Sequence, residues 1–112
     1  SNSLVLIHKL QDNVNYFRSA ISELGFEIRP GDHPIIPIMI GDASTAKKMA
    51  DQLLKEGVYV VAFSYPVVPK DTARIRIQIS AAHDTADLDQ AVSAFWKVKT
   101  VKEQLWLMKT ES

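Results

Sequence analysis

Two arginines, Arg74 and Arg76, stand two positions apart in the alternating segment "ARIRIQISAAH". Ile75, Ile77 and Ile79 occupy the odd positions, which predicts a β-strand with one buried face. Residues i and i+2 project from the same face of a strand, so the two guanidinium groups are expected about 7 Å apart. Like charges at that distance repel unless each meets a carboxylate or another anion. The pair is therefore the first candidate for binding chemistry.

Two interpretations of the arginine pair stay open on the residues alone. In the first, the polar face of the strand meets solvent, and acidic side chains of a neighbouring strand pair with the arginines. In the second, a guanidinium binds a ligand carboxylate, because arginine makes planar, bidentate contacts with that group. The second interpretation would also suit a stand-alone regulatory module that binds an anion.

The other reactive side chains give weaker signals. The histidines His8, His33 and His83 have no spacing that suits a metal site on a helix or hairpin, so no metal is expected. We expect His83 to make local hydrogen bonds beside a helix start. Ser44 and Lys47 match a Ser-x-x-Lys pattern, but the partner motifs of that chemistry are missing, and helix capping explains the segment.

Composition limits the class of protein. The chain has 112 residues, 46% of them hydrophobic and 23% charged, as expected for one globular domain. Lysine plus arginine equals aspartate plus glutamate at 13 each, which argues against a nucleic-acid partner. The absence of cysteine excludes disulfides, thiolate metal sites and cysteine nucleophiles. No apolar run approaches the ~20 residues that span a bilayer, so no membrane partner is expected.

Hydrophobic periodicity predicts the elements that hold the arginines. Helices are predicted over 4–24, ending at Gly25, from Asp42 or Ser44 to Gly57, and from Asp84 or Thr85 onward. Strands are predicted over 26–28, 35–40, 58–63 and 74–80. Pro37 should keep its strand at a sheet edge or beside a bulge, because proline cannot donate to the ladder. This order favours an α+β fold, a mostly antiparallel sheet of three or four strands with helices on one face.

A resemblance rests on four blocks, which are "HPIIPIMIGD", "GVYVVAFSYPVVPK", "ARIRIQISAAH" and the acid-capped closing helix. Over about residues 14 to 100, the chain resembles the C-terminal small domain of the α-oxoamine synthases. These are pyridoxal-phosphate enzymes of fold type I, with an aspartate-aminotransferase-like architecture. The segment "FSYPVVPK" favours the glycine C-acetyltransferase branch. The alternatives within the family are the branches that make 8-amino-7-oxononanoate or 5-aminolevulinate.

The resemblance implies an activity for the complete protein. A homodimer would condense glycine with acetyl-CoA to 2-amino-3-ketobutyrate and CoA, and the reverse direction serves threonine breakdown. Pyridoxal phosphate would act as the electron sink. By the same resemblance, Arg76 holds the glycine carboxylate and Arg74 is structural. Ser64, Tyr65 and Val67 border the acyl pocket, where an apolar Val67 suits a short acyl chain.

Part of the family pattern is missing from the chain. The large domain, which carries the cofactor lysine in this family, has no counterpart in these residues, and 100–112 does not resemble a family ending. We therefore expect one domain over 1–112 that is a fragment, with the helix over 4–24 leading in from the large domain. Alone, it is expected neither to bind pyridoxal phosphate nor to catalyse. The bacterial cytoplasm is the expected location, with the mitochondrial matrix as the alternative.

Overall fold

The computed structural model describes the backbone of residues 2–111 and the side chains of residues 2–99. In chain order, the elements are α1 (Asn2–Glu23), β1 (Glu27–Ile28), β2 (Ile35–Gly41), α2 (Ala43–Lys55), β3 (Val61–Phe63), β4 (Ala73–Gln78) and α3 (Thr85–Glu111). The strands form a sheet in the order β1-β2-β4-β3, and every neighbouring pair is antiparallel. This arrangement confirms the α+β class with an antiparallel sheet.

The helices cover one face of the sheet and form a single core with it. Isoleucines of β2 and β4 that point to this face are buried, and the helices contribute Phe17, Leu53 and Phe95. The Phe95 ring meets the edges of two other rings, with centroids 6.1 Å from Phe17 and 5.6 Å from Phe26. Edge-to-face pairs of this kind add to the stabilisation from apolar burial. Arg74 and Arg76 project from the opposite face of the sheet.

The helix ends follow the predicted capping chemistry. Asp42, rather than Ser44, caps α2, because its carboxylate accepts the backbone N–H of Thr45 at 2.8 Å. Asp84, rather than Thr85, caps α3, and Asp87 returns the contact by accepting the Asp84 N–H at 3.0 Å. Gly25, which is predicted to end α1, adopts a φ of +92°, the left-handed conformation that glycine allows at helix ends.

Pro37 lies inside the sheet, so the expectation of an edge strand is wrong for β2 as a whole. Proline is tolerated at this position because β1 is short and pairs only with Ile38 and Met39. At Pro37, β2 therefore has no neighbour on the β1 side, and the missing N–H breaks no ladder bond. A register shift between Met39 and Gly41 supplies the expected irregularity two residues further on.

The third strand is shorter than the predicted range 58–63. The Val58 N–H donates to Leu53 O at the end of α2, at 2.8 Å, which holds the chain against the helix. Val58 and Val60 are buried in the core, and pairing with β4 begins only at Val61. A strand is present within the predicted range, but the closure of α2 removes the first half of that range from the sheet.

Candidate functional site

The two arginines have apolar neighbours on the uncovered face of the sheet. Arg76 stands between Pro37 on β2 and Val61 on β3. Arg74 likewise stands between Met39 and Phe63. An acidic side chain directly opposite either arginine is thus missing from both adjacent strands. The interpretation in which neighbouring acids pair with the arginines is wrong for the directly opposed positions.

Arg74 is bound to the start of its own strand. Its Nε donates to the Thr72 carbonyl at 3.2 Å, and its Nη2 donates to the Thr72 hydroxyl at 3.4 Å. The side chain is half-buried, so these contacts replace water at the guanidinium. This geometry is that of a structural arginine, and it directs the Arg74 charge away from Arg76.

Arg76 rests on an aromatic ring and keeps its hydrogen-bond donors available. The guanidinium carbon lies 4.3 Å from the centroid of the Phe63 ring, within the range of a cation–π contact. Within residues 2–99, no hydrogen bond or ion pair engages the Arg76 guanidinium. A guanidinium stacked on a ring presents its N–H groups at its edge, where a carboxylate can accept two of them. The site can therefore bind an anion with planar geometry.

A cleft of about 540 Å³ opens beside this stacked pair, between the residues that precede β3 and the end of β4. Its lining combines apolar and polar side chains, among them Tyr59, Phe63, Arg76, Gln78 and His83. Mixed lining of this kind, with few polar groups on an apolar wall, is typical of small-molecule sites. The cleft is the place where a ligand of Arg76 would lie.

The lining of the cleft does not suit pyridoxal phosphate as a resident group. The cofactor needs a lysine amine, and no lysine lines the cleft within the described side chains. Lys99, which lines a smaller cavity of about 260 Å³, donates instead to the Leu24 carbonyl. The described lining of the cleft therefore offers no amine for the covalent attachment of the cofactor. Across residues 2–99, no cluster of three or more histidine or acidic side chains suits a metal ion.

His83 closes the turn that follows β4. Its Nδ1 accepts the Ser80 N–H at 3.0 Å, so the neutral ring carries its proton on Nε2. From α1, the Asn13 amide donates to the carbonyls of Ser80 and His83, at 3.0 Å each. The prediction that His83 makes local hydrogen bonds is confirmed. The turn fixes the end of the strand that carries Arg76.

Ser64, Tyr65 and Val67 lie in the turn after β3, outside the lining of the cleft. The Ser64 carbonyl accepts the Val67 N–H at 3.0 Å, which closes the turn. Tyr65 and Val67 are 60% and 73% exposed, and the Lys70 ammonium lies 5.2 Å from the Tyr65 ring centroid. The structure thus separates these three side chains from the wall of the Arg76 cleft, and their role at an acyl pocket stays a prediction.

Phe63 is the site residue that the sequence interpretation missed. The sequence predicts only that Phe63 ends the strand over 58–63. The signal was the spacing of Val61 and Phe63, which places both on one face, opposite the buried Val58 and Val60. Which arginine the ring would contact depends on the pairing of β3 with β4, which the spacing alone does not define.

The fold and the arginine site together match a known family. The chain belongs to the aminotransferase class I and II family, whose model matches residues 6–95. The matched region includes both arginines, the cleft and the turn at His83. In the described part of the chain, no helix combines the length and the apolar character needed to cross a membrane.

Curated relatives carry more particular names. The chain is 48% identical over 96 residues to the mitochondrial 2-amino-3-ketobutyrate coenzyme A ligase of Mus musculus, covering 86% of this chain and 23% of that protein. It is 50% identical over 90 residues to the enzyme of that name from Escherichia coli K12, covering 80% and 23%. An 8-amino-7-oxononanoate synthase of Petrotoga mobilis is 45% identical over 93 residues, covering 83% and 24%. The chain thus spans about a quarter of these relatives' lengths.

Solved structures agree with the family assignment. A structure of SPT with a pyridoxal phosphate internal aldimine matches with a TM-score of 0.79 and 25% identity, covering 84% of this chain and 24% of that one. A serine palmitoyltransferase from Sphingomonas wittichii matches with the same TM-score, 20% identity and the same coverage of both chains. The sheet and its three helices therefore have the architecture of one portion of these larger enzymes.

Proposed function

We propose that this chain is the C-terminal part of a pyridoxal-phosphate-dependent acyltransferase that condenses glycine with acetyl-CoA to 2-amino-3-ketobutyrate and CoA. Similarity to two 2-amino-3-ketobutyrate coenzyme A ligases, over 86% and 80% of the chain, supports the reaction. Within it, this chain contributes the group that binds the amino-acid substrate. That group is Arg76.

The single observation that carries the role of Arg76 is its set of unused donors on an uncovered sheet face. Glycine offers a carboxylate as its only anionic group, and a bidentate guanidinium contact fixes that group in a plane. A fixed carboxylate orients the Cα–H bond, so that binding energy is used for orientation at the reacting carbon. Arg74 cannot serve equally, because its Nε and Nη2 already donate to Thr72.

Other groups of the reaction belong to the longer protein in this proposal. Pyridoxal phosphate would be held outside this chain, as the absence of a lysine from the cleft lining of the described side chains supports. Ser64, Tyr65 and Val67 would border the acyl group, and the exposure of Tyr65 and Val67 supports contact with another part of the longer protein. The complete enzyme would be a homodimer in the cytoplasm, and sedimentation and cell fractionation of the tagged full-length protein test both points.

The test of the function uses the full-length protein with Arg76→Ala. Glycine and acetyl-CoA should release CoA in the unaltered enzyme, measured by thiol titration. Loss of a charged, bidentate contact should raise the glycine KM by about 100-fold and leave the acetyl-CoA KM and cofactor content unchanged. The matched control is Arg74→Ala, which should lower the melting temperature and leave the glycine KM within about twofold.

The outcomes of this test separate the proposal from its competitor. An unchanged glycine KM in Arg76→Ala would refute the carboxylate role. The 45% identity to an 8-amino-7-oxononanoate synthase favours that enzyme class as the second candidate. Failure of the unaltered full-length protein to release CoA with glycine and acetyl-CoA would support the second candidate over the first.

A further inference from the structure

We infer that Phe63 is a positioning residue for substrate binding, whose ring holds the Arg76 guanidinium in the orientation that receives the carboxylate. The inference rests on the proposed function, because it assumes that Arg76 binds the amino-acid substrate. It assigns a role to Phe63 on β3 and gives a physical cause for the orientation of the Arg76 side chain.

The Phe63 ring on β3 contacts Arg76 on the neighbouring strand β4 as a diagonal pair. In the register of β3 and β4, Phe63 stands directly opposite Arg74, and Val61 stands opposite Arg76. The ring nevertheless lies under the Arg76 guanidinium carbon, at 4.3 Å from its centroid. Diagonal neighbours on one sheet face are within reach of aromatic and long side chains. The hydrogen bonds of Arg74 to Thr72 turn that guanidinium toward the strand start, which leaves the ring to Arg76.

The ring supplies order without competing for the ligand. An unrestrained arginine side chain loses conformational entropy about several rotatable bonds when it binds a ligand, and this loss weakens the affinity. A ring beneath the guanidinium restricts that freedom before the ligand arrives. The ring has no acceptor atom, so it leaves the N–H edge to the carboxylate. Its effect should therefore fall on carboxylate binding and spare the later chemistry.

The surroundings of the stacked pair agree with this role. Phe63 is half-buried, and both Phe63 and Arg76 line the cleft of about 540 Å³. A ligand that enters the cleft would meet the N–H edge of the guanidinium, which the ring on the guanidinium face leaves open. Entry of a ligand also excludes water from the pair, and cation–π attraction grows as water is excluded. The contact is thus expected to strengthen when the substrate is bound.

The experiment replaces Phe63 in the full-length protein and measures steady-state kinetics. Phe63→Leu should raise the glycine KM about tenfold, as expected for loss of a cation–π contact in a partly dry site. The kcat and the acetyl-CoA KM should change by less than about twofold. Phe63→Trp keeps an aromatic face under the guanidinium and should hold the glycine KM within about threefold of the unaltered value.

A matched control removes a ring elsewhere. Phe26 packs edge-on against Phe95, on the face of the sheet that the helices cover. Phe26→Leu should lower the melting temperature and leave the glycine KM unchanged. If Phe63→Leu instead behaves as Phe26→Leu does, with a lower melting temperature and an unaltered glycine KM, the ring is structural and the inference is overturned.

Arg76→Lys in the same series separates this inference from the proposed function. A raised glycine KM in both Arg76→Lys and Phe63→Leu supports the inference. A raised KM in Arg76→Lys alone overturns the role of the ring and leaves the proposed function standing. An unchanged KM in both variants overturns the carboxylate role of Arg76 itself, and with it the inference.

Discussion

Arg74 and Arg76 have the same chemical group on the same face of one strand, yet their surroundings differ. Arg74 lies near the start of β4, where Thr72 offers a carbonyl and a hydroxyl that belong to no ladder. Arg76 lies in mid-strand, and its directly opposed neighbours on both sides are apolar. Position along the strand therefore decides which guanidinium is held by the fold and which one remains available for a ligand.

A pH-dependent contact at the residue scale lies away from this site. Tyr16 on α1 donates its hydroxyl to the Asp89 carboxylate on α3. This hydrogen bond, together with desolvation and the carboxylate charge, raises the pKa of Tyr16 above its usual 10.0. Because the pKa is higher in the folded state, the stabilisation is complete below pH 10 and is lost as the pH rises through the folded-state value.

The Tyr16 prediction is tested by an alkaline titration of phenolate absorbance. Tyr16 should ionise above the usual tyrosine pKa of 10.0. Asp89→Asn removes the carboxylate charge and should bring that pKa back toward its usual value. Tyr16→Phe should remove the late-ionising group altogether. Identical titration curves for the unaltered chain and Asp89→Asn would contradict the prediction.

At the scale of elements, α1 holds the turn that ends the arginine strand. The amide of Asn13 donates to two carbonyls of the turn, those of Ser80 and His83, while the His83 ring accepts the Ser80 N–H. The two Asn13 contacts join residues about 70 positions apart in sequence, and the His83 contact is local to the turn. The end of β4 is consequently fixed by α1, which comes before all four strands in the chain.

Asn13→Ala should destabilise the chain by about 1–3 kcal/mol, because it leaves two part-buried carbonyls without their donor. Chemical denaturation followed by circular dichroism measures the free energy of unfolding. The control is Asn15→Ala on the same helix, where the side chain only accepts an exposed hydrogen bond from Gln11. It should change the free energy of unfolding by no more than about 0.5 kcal/mol. Equal losses in the two variants would contradict the prediction.

The helices and the alternation of β4 are local properties, and the sequence predicted them. Gly25 and the isoleucines of β4 each have a role that spacing alone defines. The spacing left two candidates for the cap of α2, Asp42 and Ser44, and the structure decides between them. The position of Pro37 inside the sheet was not predictable because it depends on where β1 ends, and the late start of β3 was not predictable because it depends on how α2 closes. The contact between Phe63 and Arg76 was missed for a related reason, since a diagonal pair exists only after two strands take a register.

At the scale of the whole molecule, one face of the sheet is covered by helices and the other carries the arginines, while the cleft is lined by residues of both faces and of α3. Helices bury the isoleucine face, and no helix in the described residues packs on the face of Arg74 and Arg76. The relatives are about four times longer than their matched part. The proposed enzyme therefore needs this chain for substrate binding and the remainder of the protein for the cofactor.

Residues 1–112 alone should not retain pyridoxal phosphate, because no lysine lines the cleft within residues 2–99. Mixing the chain with the cofactor and passing it through gel filtration should leave no cofactor absorbance in the protein peak. The full-length protein, treated in the same way, is the control and should keep that absorbance. Cofactor absorbance that travels with the short chain would contradict the prediction.

The strict alternation of β4 also determines which length changes the chain tolerates. Deleting one residue between Ala73 and Arg76 would reverse the facing of one end of the strand relative to the other. Either the isoleucines or the arginines would then face the wrong side of the sheet. Deleting two residues would keep the side chains on their original faces of the sheet. It would shift the pairing with Pro37 and Val61 by two residues, which is one repeat of the strand. Natural insertions and deletions near the site should therefore fall in the loop over 64–72 and leave the strand at constant length.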